Sequence, residues 1–155
     1  MNATLLLVDD DPAIRRMIPR LLREEHYQVL AAASGPEALE LLARQPVDLV
    51  LLDLNLPLQN GWDTFERLTA DYPLVPVIIV TARSNQWFTA VSAGAAALME
   101  KPLDFPRLLE TIKLLLHEPN HVRLARLAGR QSPFHYSPAN STAGDPDAKL
   151  GAVES

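Results

Sequence analysis

Five polar side chains stand where the sequence otherwise reads as buried strand ends. Asp9 and Asp10 follow the apolar run Thr4-Leu5-Leu6-Leu7-Val8, and Asp53 closes Leu49-Val50-Leu51-Leu52. Thr81 closes a run ending Val77-Ile78-Ile79-Val80, and Lys101 follows Ala96-Ala97-Leu98-Met99, just before Pro102. Three carboxylates brought to one place repel, which raises their pKa values unless a cation intervenes. A hard divalent ion relieves the repulsion, and oxygen ligands suit Mg²⁺ with some waters retained. A metal-bound carboxylate exposed at a strand end is a competent nucleophile toward phosphorus, forming an aspartyl phosphate. The phosphoryl oxygens then need counter-charge, which the cation and one lysine supply, and a threonine hydroxyl can hydrogen-bond one of them.

Each of these residues alone has an ordinary reading. An Asp at a strand end is most often a helix cap or turn residue. Asp11 before Pro12 and Asp104 before Phe105 fit that role. Asp53 does not, because Leu54 and Leu56 follow it and no helix begins there. A lysine before proline is usually solvated, and Thr81 is compatible with plain strand propensity. The ordered set, with every member just after a predicted strand, is what points to chemistry.

The positioning elements are legible as alternating patterns. The apolar runs at 4–8, 49–52, 75–80 and 96–99 read as strands buried on both faces, and Tyr27 leads another at 29–32. Between the first two, Ile14, Met17, Ile18, Leu21 and Leu22 carry helical spacing after Asp11-Pro12, with a kink expected at Pro19. Ser34 to Glu37 offers a capping box for a second helix. Trp62, Phe65 and Leu68 mark a third, after a break from Pro57 to Gly61. A weaker fourth helix runs through Val91 to Gly94, and a fifth carries Phe105, Leu108, Leu109, Ile112, Leu115 and Leu116. Trp87 and Phe88 fall on the weak fourth helix, with one of them expected at the surface.

Five strands alternating with five helices predict a doubly wound α/β fold with a parallel sheet covered on both faces. In such sheets ligands bind at the carboxyl ends of the strands, where all five polar residues fall. Residues 1–117 make up this domain. Residues 118–131 are expected to add a short basic helix whose Arg123, Arg126 and Arg130 form a solvated face. Residues 132–155, rich in Ser, Pro, Ala and Gly without periodicity, are expected to be disordered.

The net charge of −5 resides in residues 1–117, which argues against nucleic acid as the main partner. The absence of cysteine excludes disulfides and thiolate zinc sites. With no signal-like segment and no apolar stretch of spanning length, a cytoplasmic protein without a membrane partner is expected.

The motifs Val8-Asp9-Asp10, Asp53 with Pro57 four residues on, Thr81-Ala82 and Lys101-Pro102 resemble those of the receiver domain of bacterial two-component response regulators. The resemblance covers roughly residues 4–117. It implies a flavodoxin-like fold with strand order 2-1-3-4-5, a phosphoacceptor at Asp53, and Mg²⁺ bound by Asp10 and Asp53. Asp9 would assist the metal, and Asn55 would offer it a backbone carbonyl. Lys101 would pair with the phosphoryl group, and Thr81 would be the switch hydroxyl. The family often has an aromatic switch residue three positions before the lysine; here that position is Leu98, so the output face is expected to be read differently. The resemblance also implies a phosphohistidine donor, on a sensor histidine kinase or a histidine phosphotransfer protein. The downstream partner is an unnamed protein, and homodimerisation is expected through the fourth helix, fifth strand and fifth helix. The domain would catalyse only its own phosphorylation and dephosphorylation. Two other readings stand beside this one. One is an Asp-nucleophile phosphatase or phosphotransferase, although Leu54-Asn55-Leu56 offers no second acid two residues on. The other is a receiver-like binding module that is not phosphorylated.

Overall fold

The protein was analysed as a computed structural model that describes residues 2–56 and 60–139. Pro57 of the family motif and the tail from residue 140 lie outside these described residues. The chain runs β1 (Thr4–Val8), α1 (Pro12–Glu24), β2 (Gln28–Ala32), α2 (Gly35–Arg44), β3 (Leu49–Asp53) and α3 (Gly61–Asp71). It continues through β4 (Val77–Thr81), α4 (Trp87–Ala93), β5 (Ala97–Glu100), α5 (Phe105–Leu116), α6 (Asn120–Leu127) and β6 (His135–Ser137).

The strands form one sheet in the order β2-β1-β3-β4-β5-β6, with every pair parallel. The apolar runs are continuous because successive side chains leave opposite faces of a strand, and here both faces are covered. Leu5 and Leu7 pack with Ile18 and Leu22 of α1 and with Leu108, Ile112 and Leu115 of α5. Leu6 and Val8 pack with Ala38 and Leu42 of α2, Phe65 and Leu68 of α3, and Ala90 of α4. The same alternation continues along β3 and β4, so two apolar layers clamp the sheet. Complete burial of a leucine such as Leu22 contributes about 1.5–3 kcal/mol, which makes these layers the main source of stability.

The helix starts follow their caps. Asp11 accepts from the Ala13 amide at 2.9 Å, and Asp104 accepts from the Arg107 amide at 3.2 Å. Ser34 accepts from the Glu37 amide at 3.3 Å, while Glu37 reaches back to the Ala33 amide at 2.9 Å. Gly94 ends α4 with a φ of 90°, the left-handed conformation that favours glycine. Pro19 is buried, and α1 continues past it to Glu24 as one element rather than dividing there. Of the aromatic pair on α4, Phe88 is 74 % exposed and Trp87 is 44 % exposed. Among the described residues, no helix is long and apolar enough to cross a membrane.

Two expectations for the C-terminal part need correction. The stretch from residue 132, expected to be disordered, carries β6, which adds a sixth strand beyond β5. A three-residue strand has no readable period; its order comes from pairing with the β5 edge. Arg123 and Arg126 do not form a solvated face. Arg126 is 7 % exposed and pairs with Glu118, while Arg123 is partly buried and donates to the carbonyls of Leu115 and Leu74.

Candidate functional site

The sheet order reverses at β1, which lies between β2 and β3. The crevice this reversal opens lies at the carboxyl ends of β1 and β3. Asp9 and Asp10 leave β1 there and Asp53 ends β3 beside them, so their placement follows from strand order. One carboxylate oxygen from each of the three lies within 4.8 Å of the others. Asp9 and Asp53 are almost fully buried, and Asp10 is exposed.

Lys101 arrives from the end of β5. Its Nζ donates to Asp9 Oδ2 at 2.9 Å and to Asp53 Oδ2 at 3.3 Å. The other oxygens of the buried pair are held by backbone: the Asn55 amide donates to Asp53 Oδ1 at 3.0 Å, and the Asp11 amide to Asp9 Oδ1 at 2.9 Å. Thr81 at the end of β4 is fully buried, and its Oγ1 accepts from the Arg83 amide at 2.9 Å. β4 and β5 are tied at this rim, since the Lys101 amide donates to the Thr81 carbonyl at 2.7 Å. The structure thus gathers Asp9, Asp10, Asp53 and Lys101, with Thr81 on the next strand end. Leu98 lies further back, fully buried between Ile79 of β4 and Tyr136 of β6.

Three carboxylates face one ammonium, so the rim is short of positive charge. A Mg²⁺ ion holds oxygen ligands at about 2.0–2.1 Å, so ligands on opposite sides of it are about 4 Å apart. The trio's spacing therefore fits such an ion after slight closure, and the donor set is all oxygen. Burial holds the Asp53 carboxyl above its ordinary range, and the charge of Asp9 adds to this; the Asn55 amide and Lys101 oppose it. For Lys101, burial alone would lower the pKa, but the hydrogen bond to Asp9 and the two carboxylate charges outweigh it, and the net shift is upward.

The Asp53 shift gives a stability prediction with a definite sign. A group whose folded pKa is raised costs nothing while protonated in both states, and it costs stability as pH rises through the folded pKa. Asp53→Asn should therefore raise the melting temperature of the metal-free protein at neutral pH by a few degrees. The gain should vanish below about pH 4, where carboxylates are neutral in both states. Thermal unfolding of the two proteins in chelator across this pH range checks it.

Two supporting residues were not apparent in the sequence. Arg15, on a helix face that reads as surface, donates from its guanidinium to the Asp9 carbonyl at 2.8 Å. Gly61 reads only as a chain break, yet a Cβ there would lie 2.4 Å from the Leu54 Cα and 2.6 Å from its carbonyl oxygen. The start of α3 thus rests against the residue after Asp53, and its amide donates to the Leu54 carbonyl at 3.1 Å. The available signal was a glycine at the first helical position, where better helix formers are normally used. Gly61→Ala should destabilise the protein by roughly 1–3 kcal/mol, the usual cost of overpacking. It should also weaken metal binding, because the backbone that must yield adjoins Asp53. Denaturant unfolding with and without Mg²⁺ measures both effects.

Known proteins share this fold and sequence pattern. A model of the response regulator receiver domain matches residues 5–113. The transcriptional regulatory protein ZraR of Escherichia coli K12 is 41 % identical over 120 residues, which is 75 % of this chain and 27 % of ZraR. GlrR of the same organism, also named a transcriptional regulatory protein, is 38 % identical over 112 residues, covering 71 % of this chain and 25 % of GlrR. This chain therefore spans about a quarter of the length of these relatives. Net charge alone therefore does not exclude nucleic acid as a partner of proteins of this kind. Among solved structures, a CheY-like receiver domain protein from Methanospirillum hungatei superposes with a TM-score of 0.71 at 32 % identity, covering 75 % of this chain and 94 % of that one. The response regulator TrrA from Thermotoga maritima, solved in complex with Mg²⁺–BeF, gives 0.68 at 31 % identity, with coverages of 73 % and 98 %. With both the fold and the sequence matched over most of its length, this chain belongs to the response regulator receiver domain family.

Proposed function

We propose that this receiver domain is a phosphorylation switch of two-component signalling in which Asp53 accepts a phosphoryl group from a phosphohistidine. The observation that carries the reading is the convergence of three carboxylate oxygens and the Lys101 ammonium on one rim of the sheet. TrrA, with the same fold, was solved with Mg²⁺ and BeF together, which supports the same pairing of ion and phosphoryl position here. Asp10 and Asp53 would hold the ion directly, Asp9 would assist, and the Asn55 carbonyl would complete the protein's share. Bound there, Mg²⁺ supplies charge that offsets the repulsion between an incoming phosphoryl group and the acidic rim.

The remaining steps belong to the side chains. An Asp53 oxygen attacks phosphorus, the P–N bond to the donor imidazole breaks, and its electron pair stays on that nitrogen. Lys101 turns from the two carboxylates toward the phosphoryl oxygens as a charge-assisted donor. Thr81 Oγ1 already accepts from Arg83, so its own proton is the one to offer to a phosphoryl oxygen. The position two residues beyond Asp53 is Asn55, which cannot act as a general acid, and this favours self-phosphorylation over turnover of an external phosphoester.

A donor must approach this rim. Ile14, Met17, Ile18 and Leu21 of α1 line an apolar groove with Leu103 and Phe105, and Lys101 forms part of its wall. A helix of a sensor kinase or a histidine phosphotransfer protein fits such a groove with its phosphohistidine beside Asp53. Transfer of labelled phosphate from acetyl phosphate or a phosphohistidine donor tests the reading. Label should reach the protein with Mg²⁺ present and should not when the ion is chelated; equal labelling in both conditions would refute it.

A further inference from the structure

Residues 118–137 turn back along the edge of the sheet and fasten there. α6 packs on Gly94, with the Arg126 carbonyl 3.2 Å from where a Cβ at that glycine would stand. Arg126 is buried and binds both Glu118 and the Pro133 carbonyl, which fixes the return of the chain. Phe134 then meets Trp87 of α4 edge to face, with centroids 6.2 Å apart. The His135 amide donates to the Ala96 carbonyl at 3.2 Å, and β6 pairs with Ala97, Leu98 and Met99. Two further bonds hold Tyr136: its hydroxyl donates to Glu100 Oε1 at 2.9 Å, and Arg107 donates to its carbonyl at 3.2 Å.

The attachment bears on the site because of where Glu100 lies. It immediately precedes Lys101, whose ammonium touches Asp53, and it is the register partner of Thr81. The two residues expected to move when a phosphoryl group arrives therefore flank the residue that holds Tyr136. A three-residue edge strand is also the segment of a sheet least costly to open.

We propose that residues 118–137 are a latch on the β5 edge that phosphorylation of Asp53 loosens, the displacement passing from Lys101 to Glu100 and so to Tyr136. The switch then reports its state by freeing the β5 edge and the part of Trp87 that Phe134 covers. This inference rests on the phosphoacceptor reading of Asp53.

Coupling between two sites is reciprocal: if the occupied site loosens the latch, a weakened latch must favour the occupied site. Hydrogen exchange on the full chain, with Mg²⁺ alone and with Mg²⁺ plus beryllofluoride, reads the first direction. Exchange in residues 134–137 should quicken roughly tenfold on adding beryllofluoride, as a shift toward the open edge requires. Beryllofluoride titration of Tyr136→Phe reads the second. The ring is kept and only one hydrogen bond is lost, so affinity should rise by about threefold to fivefold, the equivalent of one such bond. A purely structural role would lower the melting temperature of Tyr136→Phe and leave that affinity unchanged, which would overturn the latch. If the amides around Asp53 and Lys101 respond while residues 134–137 do not, the latch is again overturned and the phosphoacceptor reading stands. If beryllofluoride changes exchange nowhere, both fail together.

Discussion

Asp53→Asn is expected to reduce phosphoryl transfer to the chain by about a thousandfold or more, the usual consequence of removing a nucleophile. A carboxamide oxygen carries no charge to direct at phosphorus, and the buried neighbour Asp9 is not free to substitute. Asp9 already has both oxygens engaged, one by the Asp11 amide and one by Lys101. The variant should fold normally, because its carboxamide oxygen can still accept from the Asn55 amide. It should even melt higher than the wild type in chelator, as argued above from the buried charge. Lost labelling with undiminished stability separates chemistry from folding in a single protein. Label retained at the wild-type level, or mapped to Asp9 or Asp10, would remove Asp53 from the central role.

Lys101→Met should have the largest effect on stability. Among the described residues, its ammonium is the only cationic side chain placed against the buried carboxylates of Asp9 and Asp53. Methionine keeps the unbranched stem and deletes the charge, leaving two desolvated carboxylates side by side. Breaking a buried pair in this way costs about 3–5 kcal/mol; Lys101 is partly exposed, so we expect roughly 2–3 kcal/mol at neutral pH. The sign with pH follows from the carboxylates. Without the ammonium the folded pKa of Asp53, already raised by burial, rises further, so the deficit is greatest at neutral pH and shrinks as the solution is acidified through it. In the wild type, Lys101 has a raised pKa, so it stays charged throughout that range and its contribution is lost only in strong alkali. Millimolar Mg²⁺ should restore part of the lost stability, since it supplies the missing charge. Melting curves over pH, with and without the ion, distinguish this from a simple packing defect, which neither acid nor Mg²⁺ would relieve.

How far the sequence discloses this protein depends on how local each cause is. A strand covered on both faces must be apolar at every position, so β1, β3 and β4 were visible as unbroken runs. The polar residues at their ends stood out against that background. Asp11, Ser34 and Asp104 were readable as caps because capping is settled within four residues. β6 was not readable, because a strand of three residues takes its order from a partner 38 positions away in the chain, as in the pairing of Ala97 with His135. The arginines of α6 had helical spacing, but spacing cannot show from which side Glu118 and Pro133 approach. Gly61 was hidden for a related reason: its lack of a side chain matters only because Leu54 lies against it.

The unequal exposure of the three aspartates has one more consequence. Lys101 stands behind the buried pair, and only Asp10 looks outward. A Mg²⁺ ion bound as proposed would therefore enter and leave on the water side, and its departure would leave the ammonium in place against both buried carboxylates. A switch built this way would be reset by diluting an ion, with no need to take the molecule apart.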